Sequence, residues 1–265
     1  MNSTQNAAIY RPSRVDTLTP RLKPGVCALR TSITTQRLAT EAARRLGNRS
    51  ARACAHRYLA VAYAGQSRHD EALAEAVQAA ALYKELGDYT GQGKADLLVA
   101  DLLQDLGRSH EALDRARQVL DRYRANGDQA GQARALNSIG WQHALLGHHH
   151  QALSHCQQAL ALLRELGDRY GEAHTWDSLG YAHHHLGNHE QALACYRPAL
   201  DLFADLGDRV HEAIVNNHLG DTHLAAGDPA AASTTWRRAL NLMTELDVPG
   251  ADEVRVKLHR LGIDQ

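Results

Sequence analysis

Residues 166–208 read LGDRYGEAHTWDSLGYAHHHLGNHEQALACYRPALDLFADLGD, opening and closing on the same tripeptide. The interval is 40 residues, and Leu86-Gly87-Asp88 continues the series two intervals earlier. Asn126-Gly127-Asp128 fills the slot between, and Leu46-Gly47-Asn48 adds one step more. A second series runs half a period out of phase, at Leu106-Gly107, Leu146-Gly147, Leu186-Gly187 and Ala226-Gly227. A fixed period of this length marks a repeat array, in which one supersecondary unit is copied and stacked on itself.

The stretch 167–206 shows what the unit is. Leu179, Ala182 and Leu186 have the spacing of one helix face. Gly187 can take the left-handed conformation that ends a helix. Asn188 then stands as an N-cap, with Gln191 as its capping-box partner. Ala192, Leu193, Tyr196, Leu200 and Phe203 form the apolar stripe of a second helix. Pro198 lies inside that stripe, where it removes one backbone bond and predicts a kink. Each unit is therefore a helix A and a helix B. Five units are expected at 47–86, 87–126, 127–166, 167–206 and 207–246. Residues 31–46 read as an N-terminal half-repeat or capping helix, and 247–265 as a C-terminal capping helix. Residues 1–30, with Pro12, Pro20 and Pro24 and no period, are expected to be a flexible tail or the stub of an upstream segment.

When the units are laid on one another, small residues recur at Ala60, Ala100, Gly140, Gly180 and Gly220, each after a large apolar residue. Alanines recur at 72, 112, 152, 192 and 232, and at 79, 159, 199 and 239. This pattern resembles the tetratricopeptide repeat (TPR) in a long variety, over residues 47–246. The family's aromatic knob in helix A is kept only at Tyr63; Leu103, His143, His183 and His223 replace it. The three histidines are expected to pack inside the hairpins against Cys156, Tyr196 and Trp236. The array also resembles the C-terminal TPR regions of bacterial transcriptional regulators of the antibiotic regulatory protein type. The resemblance implies an all-α, right-handed solenoid whose concave groove holds a protein or peptide. It does not extend to a DNA-binding or nucleotide-binding domain: the chain has no GxxxxGK[ST] loop and no recognition helix outside the repeats.

The bulk composition narrows the function. A formal charge of −1, from 29 basic and 30 acidic residues, gives no basic footprint for direct nucleic-acid binding. No apolar run is long enough to span a bilayer. Four cysteines without a CxxC pair read as reduced thiols, and the reading is cytoplasmic. Protonating all 17 histidines would carry the formal charge from −1 to +16, so acid instability is expected.

Candidate binding residues lie on the face of helix A that flanks the packed side. The third repeat gives Arg134, Asn137 and Trp141, and the fourth His174, Asp177 and Tyr181, with His184 and His185 one turn on. The fifth gives Asn217 and Asp221 beside Ile214, and the second Lys94, Leu97 and Asp101. The row Asn137, Asp177, Asn217 resembles the carboxamide ladders with which such arrays hold a partner's backbone. Trp141 and Tyr181 are of the residue types enriched at binding hot spots. His148–His150 are placed in a turn, and His183–His185 on a helix, where consecutive residues diverge by about 100° and cannot converge on one ion. No specific metal site, cofactor or catalytic residue is expected, although His143 and Cys156 raise a nucleophile reading that needs access and a third orienting group. The function expected is a regulatory protein- or peptide-binding scaffold. A small-molecule sensor using the groove is the alternative, and an enzyme using it as a substrate pocket the third. Self-association through the stack ends is a further expectation.

Overall fold

The computed structural model describes residues 26–262, which hold twelve α-helices and no strand. In chain order they are α1 (Val26–Arg45), α2 (Arg49–Ala64), α3 (His69–Glu85), α4 (Tyr89–Asp105), α5 (Ser109–Ala125) and α6 (Gln129–Leu145). They continue as α7 (His149–Leu166), α8 (Arg169–His185), α9 (His189–Leu206), α10 (Arg209–Ala225), α11 (Pro229–Leu246) and α12 (Ala251–Arg260). Helix α1 begins within the segment expected to be a tail, and the rest of that segment, up to residue 25, lies outside the described residues. No helix among the described residues is long and apolar enough to cross a membrane.

The tripeptide series builds one recurring turn. Gly167 and Gly207 close α7 and α9 with φ of 66° and 70°, a conformation in which any Cβ would be strained. The next residue starts the following helix. The carboxylates of Asp88, Asp128, Asp168 and Asp208 accept from the N–H three residues on, at 2.7, 2.8, 3.0 and 3.1 Å. Such a cap contributes about 1 kcal/mol and fixes where helix A begins. Of the half-period turns, the one at Asp228 has the same cap, accepting from Ala231 N–H at 2.9 Å, while those at Arg68, Arg108, His148 and Asn188 have none. Asn188 makes no side-chain cap, contrary to the capping box expected there. Its backbone N–H returns to His183 O at 3.0 Å, the bond that Asp168 and Asp208 also make to Leu163 O and Phe203 O at 2.9 Å, so the preceding helix end alone holds this turn. By the same geometry His149 and His150 are the first residues of α7 rather than turn residues. Pro198 does not end α9, which runs on to Leu206.

The helices fall into two compact units, one ending at Ser138 and the other beginning at Ile139, within α6. In the first, each of α1 to α4 packs on the next, ending with α5. Its core is mostly alanine and leucine, with Tyr83 and Tyr123 as the large side chains at the B-helix ends. In the second, α7 to α12 pack in the same sequential way, and α8 also touches α10. Here Gly180 and Gly220 leave room for Tyr196 and Trp236, which are 1% and 2% exposed. A Cβ at Gly180 would lie 2.5 Å from Tyr196 Cε1, well inside van der Waals contact. The residues opposite Cys156, Tyr196 and Trp236 are thus the glycines of helix A. His143 is buried and stacks on His155 at 5.5 Å, while His183 and His223 are half-buried.

Candidate functional site

The second unit gathers most of the candidate residues on the facing sides of α6, α8 and α10. Asp177 on α8 is 2% exposed and its carboxylate lies 2.8 Å from His218 Nδ1 on α10. One turn further, His184 Nδ1 and Thr222 Oγ1 are 3.0 Å apart. Asn217 on α10 is fully buried and accepts from Lys257 Nζ of α12 at 2.9 Å. Asp221 lies 2.8 Å from the same ammonium and accepts from Trp236 Nε1 at 3.1 Å. Polar groups buried this deeply must be paired, and the pairing here runs from one A helix to the next.

Exposure separates these residues into two layers. Asn137, Asp177 and Asn217, expected as an open ladder, are 0%, 2% and 0% exposed. His174 is 1% exposed and packs edge-on against Phe203 and His211, with centroids 5.0 and 4.3 Å away. The physical reason is that the stripe flanking the packed face of α8 turns toward α10. Trp141, Tyr181, His184 and Asp221 are half-buried and reach solvent. Arg134, also half-buried, and Asn137 belong to the first unit.

Above the buried layer the rings form a continuous run. Trp141 and Tyr181 have centroids 4.8 Å apart, and Tyr181 and His185 are 4.3 Å apart. His185 continues to His149, stacked at 5.2 Å with planes 9° apart. His185 is four residues beyond Tyr181 and shares its face, as the helix-face reading expects. His149 lies outside the residues that reading selects.

The imidazoles of this run are held neutral. Loss of hydration pushes the pKa of His185 down to about 4, reinforced by neighbouring His184, His149 and His218. Desolvation lowers His184 and His183 as well, and lowers His149 together with His150 and His148. Burial raises Tyr196 well above the usual phenol range, with Asp177 adding to it. Among the described residues no three His, Cys, Asp or Glu side chains are gathered as ligands for one metal ion. Cys156 is fully buried, and burial pushes the Cys195 thiol up to about 11, opposite to the activation a nucleophile needs. Elsewhere in this unit an open depression of about 650 Å³ lies between α10 and α11. Its Arg209 and Arg238 are paired with Glu245 and Glu212 at 2.6 and 2.5 Å, so their charge is already compensated.

Residues 92–165 and 171–245, more than half of the chain, match the tetratricopeptide repeat. The chain belongs to the TPR family. Its structure is similar to that of BtubC (BKLC) from P. vanneervenii, with a TM-score of 0.64 at 20% identity, covering 83% of this chain and 92% of that one. A Rap protein complexed with Competence and Sporulation Factor gives a TM-score of 0.65 at 16% identity, covering 89% and 71%. Aspartyl phosphate phosphatase F from Bacillus subtilis gives 0.63 at 15%, covering 89% and 67%. At these identities the structural likeness shows a shared fold. No curated protein sequence matches the chain.

Proposed function

We propose that this TPR protein is a peptide- or protein-binding scaffold, and that its partner lies over the ring row Trp141, Tyr181, His185 and His149. The observation that carries the reading is the two-layer construction of the site. Rigid helices hold partly exposed rings above a buried layer in which Asp177 is paired with His218, so little conformational freedom is lost on binding. Tyr and Trp add large contact area with few rotatable bonds, and neutral imidazoles add hydrogen-bonding tips without a charge to desolvate. Binding by the similar Rap protein to Competence and Sporulation Factor supports a recognition role. A regulatory role in a bacterial pathway, in the cytoplasm, is the biological setting we assign to it. The resemblance of the 40-residue repeats to regulator C-terminal regions supports that setting.

The test is selection from a displayed library of random peptides. The wild-type chain is expected to enrich a recurrent sequence family. A Trp141→Ala/Tyr181→Ala chain with unchanged thermal midpoint is expected to bind the enriched peptide at least about tenfold more weakly. Equal affinity for both chains would remove the ring row from the site.

A further inference from the structure

Counting by the 40-residue period, α12 stands where a sixth helix A would begin. Lys257 then occupies the register of Asn217 and Asp177. Its ammonium is received by three groups of the last hairpin: Asn217 Oδ1 at 2.9 Å, the Asp221 carboxylate at 2.8 Å, and the Trp236 ring, whose centroid is 5.8 Å away. The lysine's own helix adds Glu253 at 3.0 Å. An amide oxygen, a carboxylate and an aromatic face on fixed helices make a receptor for a primary ammonium.

The resident occupant does not saturate that receptor. Asn217 is fully buried, yet among the described residues its Nδ2 has no hydrogen-bond partner. A buried amide with both donor hydrogens unused is destabilising, and an occupant that offered an acceptor beside its ammonium would relieve it. The resident helix is also short. Helix α12 has ten residues, too few for an isolated helix to be stable, and is anchored by Val254 and Leu258. The link from α11 contains two positive-φ residues, Asp247 at 51° and Gly250 at 104°.

We propose that Asn217, Asp221 and Trp236 form a recognition site for a lysine side chain of a partner protein, and that α12 is a built-in stand-in which the partner displaces. This rests on the peptide-binding reading above and names one feature of the partner: an exposed lysine on an amphipathic helix, with a hydrogen-bond acceptor adjacent to its ammonium. The stem of the lysine lies along Trp236 while the acceptor takes the Asn217 donors.

The experiment uses the full chain carrying Val254→Asp and Lys257→Ala, which undocks α12 and leaves the receptor residues unchanged. The probe is a fluorescein-labelled peptide of residues 250–262, read by anisotropy. The undocked chain is expected to bind this peptide, while the wild-type chain, filled by its own helix, is not. Replacing the peptide's lysine by norleucine, or Asp221→Asn in the chain, is expected to weaken binding about tenfold or more. No binding to the undocked chain, or equal binding of the norleucine peptide, overturns the proposal. If far-UV circular dichroism shows the variant losing more than α12, the wild-type chain decides by hydrogen exchange. An excess of the lysine peptide, but not the norleucine one, is expected to speed exchange of the 251–260 amides. Equal exchange with both peptides overturns it. A dimer that forms by exchanging α12 between copies also overturns it, because the occupant is then a second copy. The defined probe never touches Trp141 or Tyr181. Failure here with peptide selection intact sinks only the lysine site, and failure of selection sinks the scaffold reading.

Discussion

The two units solve the same packing problem with different pairs of side chains. In the first, the register position where helix A meets helix B holds Ala60 with Ala76 and Ala100 with Ala116, all fully buried. In the second, the same positions hold Gly180 with Tyr196 and Gly220 with Trp236. Volume taken from one helix is given to the other. At Trp236 the exchange brings a polar tip: its Nε1 reaches Asp221 Oδ1 at 3.1 Å. An alanine pair packs equally well but offers nothing to a polar group. The difference teaches that one wedge can serve packing and polar pairing together, as Trp236 does. The histidines divide in the same way, with three in the first unit and fourteen in the second.

The comparison breaks if the wedge and its glycine are not coupled. Tyr196→Ala alone is expected to cost about 3–5 kcal/mol, as for other buried aromatics. Gly180→Ala alone forces a methyl into the ring and is expected to cost about 1–3 kcal/mol. Together they recreate the alanine pair of the first unit, so the double variant is expected to fall short of the sum by about 1 kcal/mol or more. Urea unfolding of the three variants measures the coupling, and strict additivity would mean the pairs are independent.

A smaller effect concerns acid. His149, His183, His184 and His185 all have folded pKa values below the unfolded one, so folding favours their neutral forms. Their contribution is complete above about pH 6.5 and is lost as the pH falls toward about 4, where His185 finally titrates. The net expectation is a thermal midpoint that falls from pH 7 to pH 5, with hydrogen exchange rising in α7–α9 before α3–α5. Uniform acceleration across both units would erase the contrast.

The smallest effect lies in the first unit. Its first hairpin turn places Ser67 at φ 55°, where the corresponding turns carry glycine. Ser67→Gly is expected to stabilise by about 1 kcal/mol, with no change in the second unit's exchange. A neutral or destabilising result would show that Ser67 is held there by something other than its turn.

Turns are legible in the sequence because a positive φ and a carboxylate cap each demand particular residues at fixed positions. Leucine of the Leu-Gly-Asp motif illustrates the limit. Leu86, Leu166 and Leu206 are 40%, 43% and 38% exposed, so the motif reports where a helix ends and not what is buried. Helix-face arithmetic finds Trp141, Tyr181, Asp177 and Asn217 together. It does not distinguish the exposed rings from the buried ladder, because it treats a helix alone, and Asp177 is buried by its neighbour α10. His174 defeats it in the same way, its surroundings being set by Phe203 and His211 from two later helices. Lys257 is invisible to it because α12 reads locally as an ordinary amphipathic helix. Only its register against Asn217 gives it a role.

The glycine–aspartate turns have a consequence for how such a chain changes length. Each turn is complete in itself: the glycine ends one helix and the aspartate starts the next. Cutting after Gly167 and rejoining at Asp208 restores the same junction with one helix pair fewer. A copying error of one whole period therefore leaves every surviving helix with both of its caps. Length is in this respect an inherited variable of the molecule, open to adjustment by slippage in the gene in whole periods, whereas a cut at a Gly–Asp junction that is not a whole number of periods long does not restore it.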